Sequence, residues 1–362
     1  MNKLLPILQA EINDKGPLSV ARYMELALGH EHHGYYQKQD PFGAQGDFIT
    51  APEISQMFGE IIGLWCAFVW QSLESPTPFH FVEVGPGRGT LMADALRAGQ
   101  TSSGFLDAAR LCLVETSPTL MGIQKQALAS FEVTPTWTDN LEDIDDGPLL
   151  VIGNEFFDAL PVRQYIRDKD GWRERLVGLH EDGSGLTFVL SKEQADQEII
   201  PKNVRETAEQ GAVYEDQSLS RALMSDIAAR IVKFGGAALF IDYGHDQHGL
   251  GDTLQAVKTH KFVDVLADPG DQDLTTHVDF EQLSEAALRQ GADVFGPMSQ
   301  GVFLEQLGMS QRAEALKAKA SVDQIFDVNR AYARLTSPEQ MGSLFRVMAV
   351  AAPGLNLPPW SV

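Results

Sequence analysis

At 362 residues the chain exceeds the usual single-domain size of roughly 150, and 44% hydrophobic with 22% charged residues suffices for a substantial core. A minimal module and global disorder are both excluded. A formal charge of −22, from 28 basic and 50 acidic side chains, repels polyphosphate and argues against a nucleic acid substrate. Two cysteines, Cys66 and Cys112, each inside an apolar run, offer neither a disulfide framework nor a cysteine zinc site, and read as buried thiols in a reducing compartment.

Leu4, Leu5, Leu8 and Ile12 fall at helical spacing, as do Met57, Ile61, Leu64, Trp65 and Phe68. The stripe of Phe58, Ile61, Trp65 and Phe68 is expected to be core. The longest apolar stretch, Ile61 to Trp70, is half the length of about 20 residues that crosses a bilayer, so no membrane insertion is expected. The N-terminal run is broken by Pro6 and ended by Glu11, without the Arg-rich, acid-poor character of a presequence, and reads as the first helix of a cytoplasmic protein. Prolines within SLESPTPF (72–79) end the second helix.

From residue 80 short apolar runs alternate with amphipathic ones: FHFVEVG, RLCLVET, LLVIGNEFFD and later GAALFIDYG. That is the pattern of a buried parallel sheet with helices on both faces. Around a DGSG turn, WRERLVGLHEDGSGLTFVLS reads as an inserted β-hairpin. A mostly helical stretch from Phe303 to about Leu335 and a final strand, FRVMAVAAP, complete the chain. The expected organisation is a helical cover over 1–75 carrying the GDFITAPE loop, a Rossmann-like core over 76–260 with an insertion at about 162–215, and a C-terminal region over 261–362.

The segment FVEVGPGRGTLMADAL ends an apolar strand in Gly85, Gly87 and Gly89 and leads straight into a helix. Glycines let the backbone turn sharply and approach a ligand, and the helix start offers free amides, so a nucleotide-like cofactor suits the place. The dinucleotide pattern GxGxxG would need glycine at position 90, where Thr90 stands, which argues against NAD or FAD. With Glu83 two positions before the first glycine, the run resembles motif I of class I S-adenosylmethionine methyltransferases. A structural glycine turn or another nucleotide remains open on this segment alone.

Glu115, at the end of the next apolar run and 26 residues after Gly89, is placed to accept bonds from both ribose hydroxyls of an adenosine. The bland reading is a surface glutamate at a strand end. Asp139 is a candidate for the adenine amino group, and equally a turn residue. NEFFDALP (154–161) follows the apolar run LLVIG, which puts Asn154 and Glu155 at a strand end beside the cofactor crevice. Amino-methyltransferases acting on DNA bases or glutamine place an Asn/Asp-Pro-Pro-aromatic motif there; here Glu155 and Phe156 replace the prolines. Glu155 and Asp158 suit a cationic planar acceptor such as guanidinium.

GDFITAPE (46–53) mixes Asp47, Thr50 and Glu53 with Phe48, and is read both as a lid with Thr50 near the cofactor and as a helix start with a Thr50–Glu53 capping box. DLTTHVDF (273–280) brings His277 between two acids, or caps a helix. His30, His32 and His33 lack a metal-binding pattern, His245 and His248 read as loop residues, and no metal is expected.

Together HHGYYQ, GDFITAPEISQMFGE, VEVGPGRGTL, LVETS, GNEFFDALPVRQY, LFIDYGH, LGDTLQAV, DLTTHVDF and GPMSQGVFLEQLG resemble the mitochondrial complex I assembly-factor methyltransferases and their bacterial homologues, the MidA-like group. The likeness runs through nearly the whole chain in order, apart from Arg167 to about Glu206. It implies a seven-stranded α/β methyltransferase fold with an N-terminal helical cover and an added α/β lobe. It also implies S-adenosyl-L-methionine as cofactor, held at Gly85, Gly87, Gly89 and Glu115. Finally it implies methylation of a protein arginine, since the eukaryotic member symmetrically dimethylates an arginine of the 49-kDa complex I subunit. On this reading Glu155 and Asp158 hold the guanidinium and His277 or a carboxylate receives its proton, without metal or covalent intermediate. A methyltransferase for a small molecule or another side chain, and a noncatalytic assembly chaperone, are the competing classes.

Overall fold

The computed structural model describes residues 2–38 and 50–360. The chain divides into two compact units, each assembled from separate stretches: 1–48, 157–223 and 245–283 in the first, and 49–156, 224–244 and 284–362 in the second.

The second unit is a twisted sheet with helices. Its strands are β1 (Phe79–Val84), β2 (Ala109–Val114), β3 (Thr136–Thr138), β4 (Leu149–Asn154), β5 (Gly236–His245), β6 (Asp293–Ser299) and β7 (Phe345–Ala351), in the order β3-β2-β1-β4-β5-β7-β6. The first five are mutually parallel; β7 runs antiparallel between β5 and β6. The parallel strands are almost wholly apolar because both faces are covered: Phe81, Val82, Leu111, Leu150, Ile152, Leu239 and Ile241 are all buried. The chain leaves β1 toward β2 on one side, while β4 pairs β1 on the other, so strand order reverses between β1 and β4. In open α/β sheets a ligand crevice forms outside the carboxyl ends of the strands at such a point.

Four helices frame that point: α1 (Ala51–Ile54), α2 (Gln56–Ser72), α3 (Thr90–Gly99) and α4 (Pro118–Ala127). Gly59 and Gly63 sit one turn apart on α2, where a Cβ would come within 2.5 Å of Asp94 Cβ and 2.4 Å of the Ala95 carbonyl. Close approach of α2 to α3 therefore requires glycine at both, and it fixes the helix that starts at the glycine loop. Phe58, Ile61 and Trp65 are core as expected, but Phe68 is 50% exposed. The covered face continues through Ile62, Cys66 and Val69, and Phe68 lies about 100° round the helix from Val69. Both cysteines are buried free thiols.

In the first unit an antiparallel sheet joins residues 18–19, 171–179, 163–168 and 213–216, with 186–190 paired to 171–179. The strands expected around DGSG form: Leu179 pairs Leu186, and Gly183 closes the turn at φ +69°. The helices Leu5–Lys15 and Val20–Gly29 bury Leu8, Ile12, Tyr23 and Met24 in a core shared with Val177 and Leu274. Among the described residues no helix is long and apolar enough to cross a membrane.

Candidate active site

The glycine loop follows β1 directly. Gly85, Gly87 and Gly89 all adopt left-handed backbone, at φ +62°, +51° and +79°, which any side chain would strain. A Cβ at Gly85 would also meet Phe156 Cδ2 at 2.8 Å, so the loop is pressed close to the turn after β4 at Gly85. Gly89 caps α3 without a side-chain cap bond of its own, and of the first-turn amides that of Met92 bonds the Glu83 carboxylate, so the start of the helix before Met92 is where a polar ligand would be received.

Glu115 lies one residue beyond β2 and is buried. Its Oε1 accepts from the Ser117 amide at 2.8 Å and its Oε2 from Gln124 Nε2 at 3.0 Å. Burial pushes its pKa up, opposed by the bonds from Ser117, Gln124 and the Thr116 amide. Three bonds on a carboxylate with about four lone-pair sites leave room for a bond from a ligand hydroxyl. Gln124, on α4, also donates to the Gly87 carbonyl at 2.8 Å and accepts from Trp137 Nε1 at 2.8 Å, so one carboxamide ties the acid, the glycine loop and β3 together.

Glu83 is buried on β1. Burial drives its carboxyl well above the ordinary range, against a bond from the Met92 amide and reinforced by the nearby Glu115 charge. Its Oε2 has no hydrogen-bond partner among the described residues. Asp139 is exposed just beyond β3.

β4 ends in Asn154, paired with Ile241 of β5, and Glu155 follows at φ +51°, a left-handed position rare for a residue with a side chain. Three bonds hold it there. The Glu155 amide donates to the Ile241 carbonyl at 2.8 Å, the Ala51 amide donates to Glu155 Oε1 at 3.2 Å, and Asn154 Nδ2 donates to the same oxygen at 3.1 Å. Burial raises the Glu155 pKa, with the Ala51 and Asn154 bonds and the Arg334 charge acting against it. Asn154 Oδ1 is buried with no partner among the described residues. Asp242, on β5 just past its last pairing with β4, accepts from the Phe156 amide at 3.1 Å and anchors the far side of the turn.

The expected Thr50–Glu53 capping box does not form. Thr50 stands before α1 with no side-chain cap bond, and the Glu53 carboxylate turns instead to Thr90 Oγ1 and to Arg88 Nη1, the latter at 3.3 Å. A hydroxyl and a guanidinium together outbid one backbone amide. Asp47 and Phe48, with the rest of the expected lid up to Ile49, lie outside the described residues.

Asp158 and His277 belong to the first unit. Asp158 is buried, and its carbonyl accepts from the Thr276 amide at 2.9 Å. The His277 amide donates to Thr253 Oγ1 and its carbonyl accepts from Gln217 Nε2; burial, then the His245 charge, lowers the imidazole pKa. The helix-capping role expected in this segment falls to Asp279, whose Oδ1 accepts from the Glu281 and Gln282 amides at 3.0 and 3.1 Å. His248 lies in a loop as expected, with its side chain nearly enclosed and bonded through Nδ1 to Asp279 Oδ2 at 3.0 Å, whereas His245 is the last residue of β5. Of the residues that sequence reasoning passed over, Asp242 had a readable signal, an acid ending an apolar run as Glu115 does. Gln124 and Trp137 had none.

The sequence pattern of an S-adenosyl-L-methionine-dependent methyltransferase family matches residues 61–298. The chain belongs to this family. It is 36% identical to the mitochondrial protein arginine methyltransferase NDUFAF7 of Xenopus laevis over 96% of this chain and 84% of that one, and 34% identical to the human protein over 96% and 83%. A Burkholderia thailandensis methyltransferase crystallised with S-adenosyl-homocysteine superposes with a TM-score of 0.83 at 28% identity, covering 97% of this chain and 92% of that one. The chain is thus an S-adenosylmethionine-dependent methyltransferase with the class I fold. Its residues fit that cofactor: three left-handed glycines in the loop after β1, a helix whose N-cap glycine brings no side-chain cap, and a buried acid after β2 with room for a ligand hydroxyl. The cytoplasmic location expected above is overturned by the frog, fly and human relatives, which are mitochondrial proteins. The apolar spacing of the N-terminal helix reflects the packing of Leu8 and Ile12.

Proposed function

We propose that this methyltransferase acts on a protein arginine, with Glu155 as the carboxylate that holds the guanidinium. The observation that carries the reading is the left-handed Glu155, fixed from both sides at the strand end where the sheet order reverses and pressed through Phe156 against the glycine loop. Backbone in this region costs on the order of 1–3 kcal/mol and is kept where a group must be aimed. The arginine methyltransferase relatives support the acceptor class.

When bound, S-adenosylmethionine supplies a methyl group on a positive sulfonium. The chain's own contribution is positioning: Gly85, Gly87, Gly89 and Glu115 seat the cofactor, assisted by Glu83, Asn154, Thr50 and Asp139, while Glu155 aims one guanidinium nitrogen for in-line attack. An arriving guanidinium offsets the burial that raises the Glu155 pKa and favours its ionised form. Arginine, with a pKa above about 12, loses its proton only as the new bond forms. On sequence grounds Asp158 is the second carboxylate and His277 the proton acceptor; the lowered pKa of His277 leaves it neutral and able to take a proton near pH 7. A 49-kDa-type complex I subunit is the acceptor to test first.

The test incubates methyl-labelled S-adenosylmethionine with the protein and an extract of cells lacking it, with Gly87→Val as control, and analyses any labelled band by mass spectrometry. A labelled band carrying methylarginine is the expected result. Label in a small molecule, or on another side chain, would overturn the arginine assignment.

A further inference from the structure

Residues 50–54 touch both halves of the site within the second unit. On one side the Glu53 carboxylate accepts from Thr90 Oγ1, on the first residue of α3, and lies 3.3 Å from Arg88 Nη1 in the glycine loop. Two residues earlier, the Ala51 amide donates to Glu155 Oε1 at 3.2 Å. Pro52 stands between them, and its fixed φ makes the link short and stiff. Both Ala51 and Pro52 are buried, so the single turn of α1 has little room to absorb a displacement at Glu53. Glu53 spends both oxygens on the cofactor loop and none on its own helix start, although a capping box was open to it. That choice is hard to explain by local stability alone.

We propose that Glu53 is a positioning residue that couples the glycine loop to the Glu155 carboxylate. A cofactor seated on the glycine loop orders Arg88 and Thr90; their hold on Glu53 then fixes α1, and the Ala51 amide holds Glu155 in the orientation needed by the acceptor. The last step rests on the acceptor role given to Glu155 above, whereas the coupling itself does not.

Hydrogen exchange measured by mass spectrometry, with S-adenosylhomocysteine as the probe, tests the coupling without any acceptor. In the unsubstituted protein the ligand should slow exchange in peptides covering 50–58, 85–92 and 153–157. In Glu53→Ala the ligand dissociation constant should rise about tenfold. At saturation the 85–92 peptide should still be slowed, while slowing at 50–58 and 153–157 is lost. Glu53→Gln keeps an acceptor for the Thr90 hydroxyl and should recover most of it. Thr90→Val, which removes the hydroxyl while leaving residues 50–54 untouched, should reproduce the loss even if Glu53→Ala folds poorly. Folded variants that bind the ligand with unchanged affinity and keep the slowing at 153–157 would overturn the proposal, as would an absence of that slowing in the unsubstituted protein. An acceptor other than arginine would sink the functional reading and leave these results unchanged.

Discussion

Gln124 donates through Nε2 to Glu115 Oε2 at 3.0 Å, inside a helix whose other polar groups face outward. The same nitrogen reaches the Gly87 carbonyl, so the carboxamide sets the spacing between the acid after β2 and the loop after β1. A hydrogen bond to a charged group contributes about 1.5–3 kcal/mol. Gln124→Leu is expected to weaken S-adenosylhomocysteine binding by about tenfold or more while the fold persists. Calorimetric titration beside a thermal melt checks it; unchanged affinity would show that Glu115 needs no such support.

Gly85→Ala places a Cβ 2.8 Å from Phe156 Cδ2 and forces a side chain into left-handed backbone. The conformational cost is about 1–2 kcal/mol, and relief can come only from moving Phe156 or the loop. Cofactor affinity should fall at least tenfold, and Gly87→Val should abolish it. Both proteins are expected to retain the circular dichroism spectrum of the parent.

Glu155→Gln should bring methyl transfer below about 1% of the parent, the loss on the order of 3 kcal/mol expected when a buried charge pair cannot form, with cofactor affinity within a few-fold. Turnover close to that of the parent would remove Glu155 from the acceptor site. The sign of the pH dependence follows from the direction of its shift. Burial raises the carboxyl above its ordinary 4.5, and the ionised form holds the cation, so kcat/KM should rise with pH through that raised value and flatten above it. An acid limb no higher than 4.5 would contradict the buried carboxylate.

His277 and Asp279 separate rate from stability. Asp279 caps the helix that starts at Phe280 and pairs with His248; burial pushes its pKa up, but the His248 bond, the His245 and His248 charges and the Gln282 bond hold it below its ordinary 3.8. A carboxyl depressed on folding stabilises the protein above its unfolded value, and that contribution is lost as pH falls through the folded value. Asp279→Asn should therefore destabilise by about 1–3 kcal/mol at neutral pH, with the gap to the parent narrowing as pH drops below 3.8. His277→Ala should instead lower turnover with little change in melting temperature, because the backbone bonds of His277 survive the substitution. A melting temperature that falls while turnover per folded molecule holds would assign His277 a structural role.

Much of the site could be read from the residue order because its parts are local. A strand ending in three glycines and a helix, an acid at the end of the next strand, and NEFFD after the fourth are contiguous patterns whose chemistry follows from backbone freedom and charge. The helical start, the DGSG hairpin and the buried cysteines were legible for the same reason. Glu53 was not, since a capping box and a long-range bond to Thr90 use the same residue types and differ only in which partner the fold brings near. Phe68 was misjudged because its periodicity specifies a face, and which face is covered depends on the partner helix.

By itself the residue order determined the alternation of strands and helices, the glycine loop, the acids at strand ends and the family. These rest on short-range sterics and on patterning that repeats within a few residues. Tertiary structure alone decided that Gln124 holds Glu115, that Glu53 serves the glycine loop and not its own helix, that Asp242 anchors the turn after β4, and that Asp279 and not His277 caps its helix. Each of those is a choice between competing hydrogen-bond partners, far apart in the chain for Glu53 and Asp242 and on separate elements for Gln124, and is settled only when packing brings one of them within 3 Å or so while burial makes leaving a polar group unpaired costly.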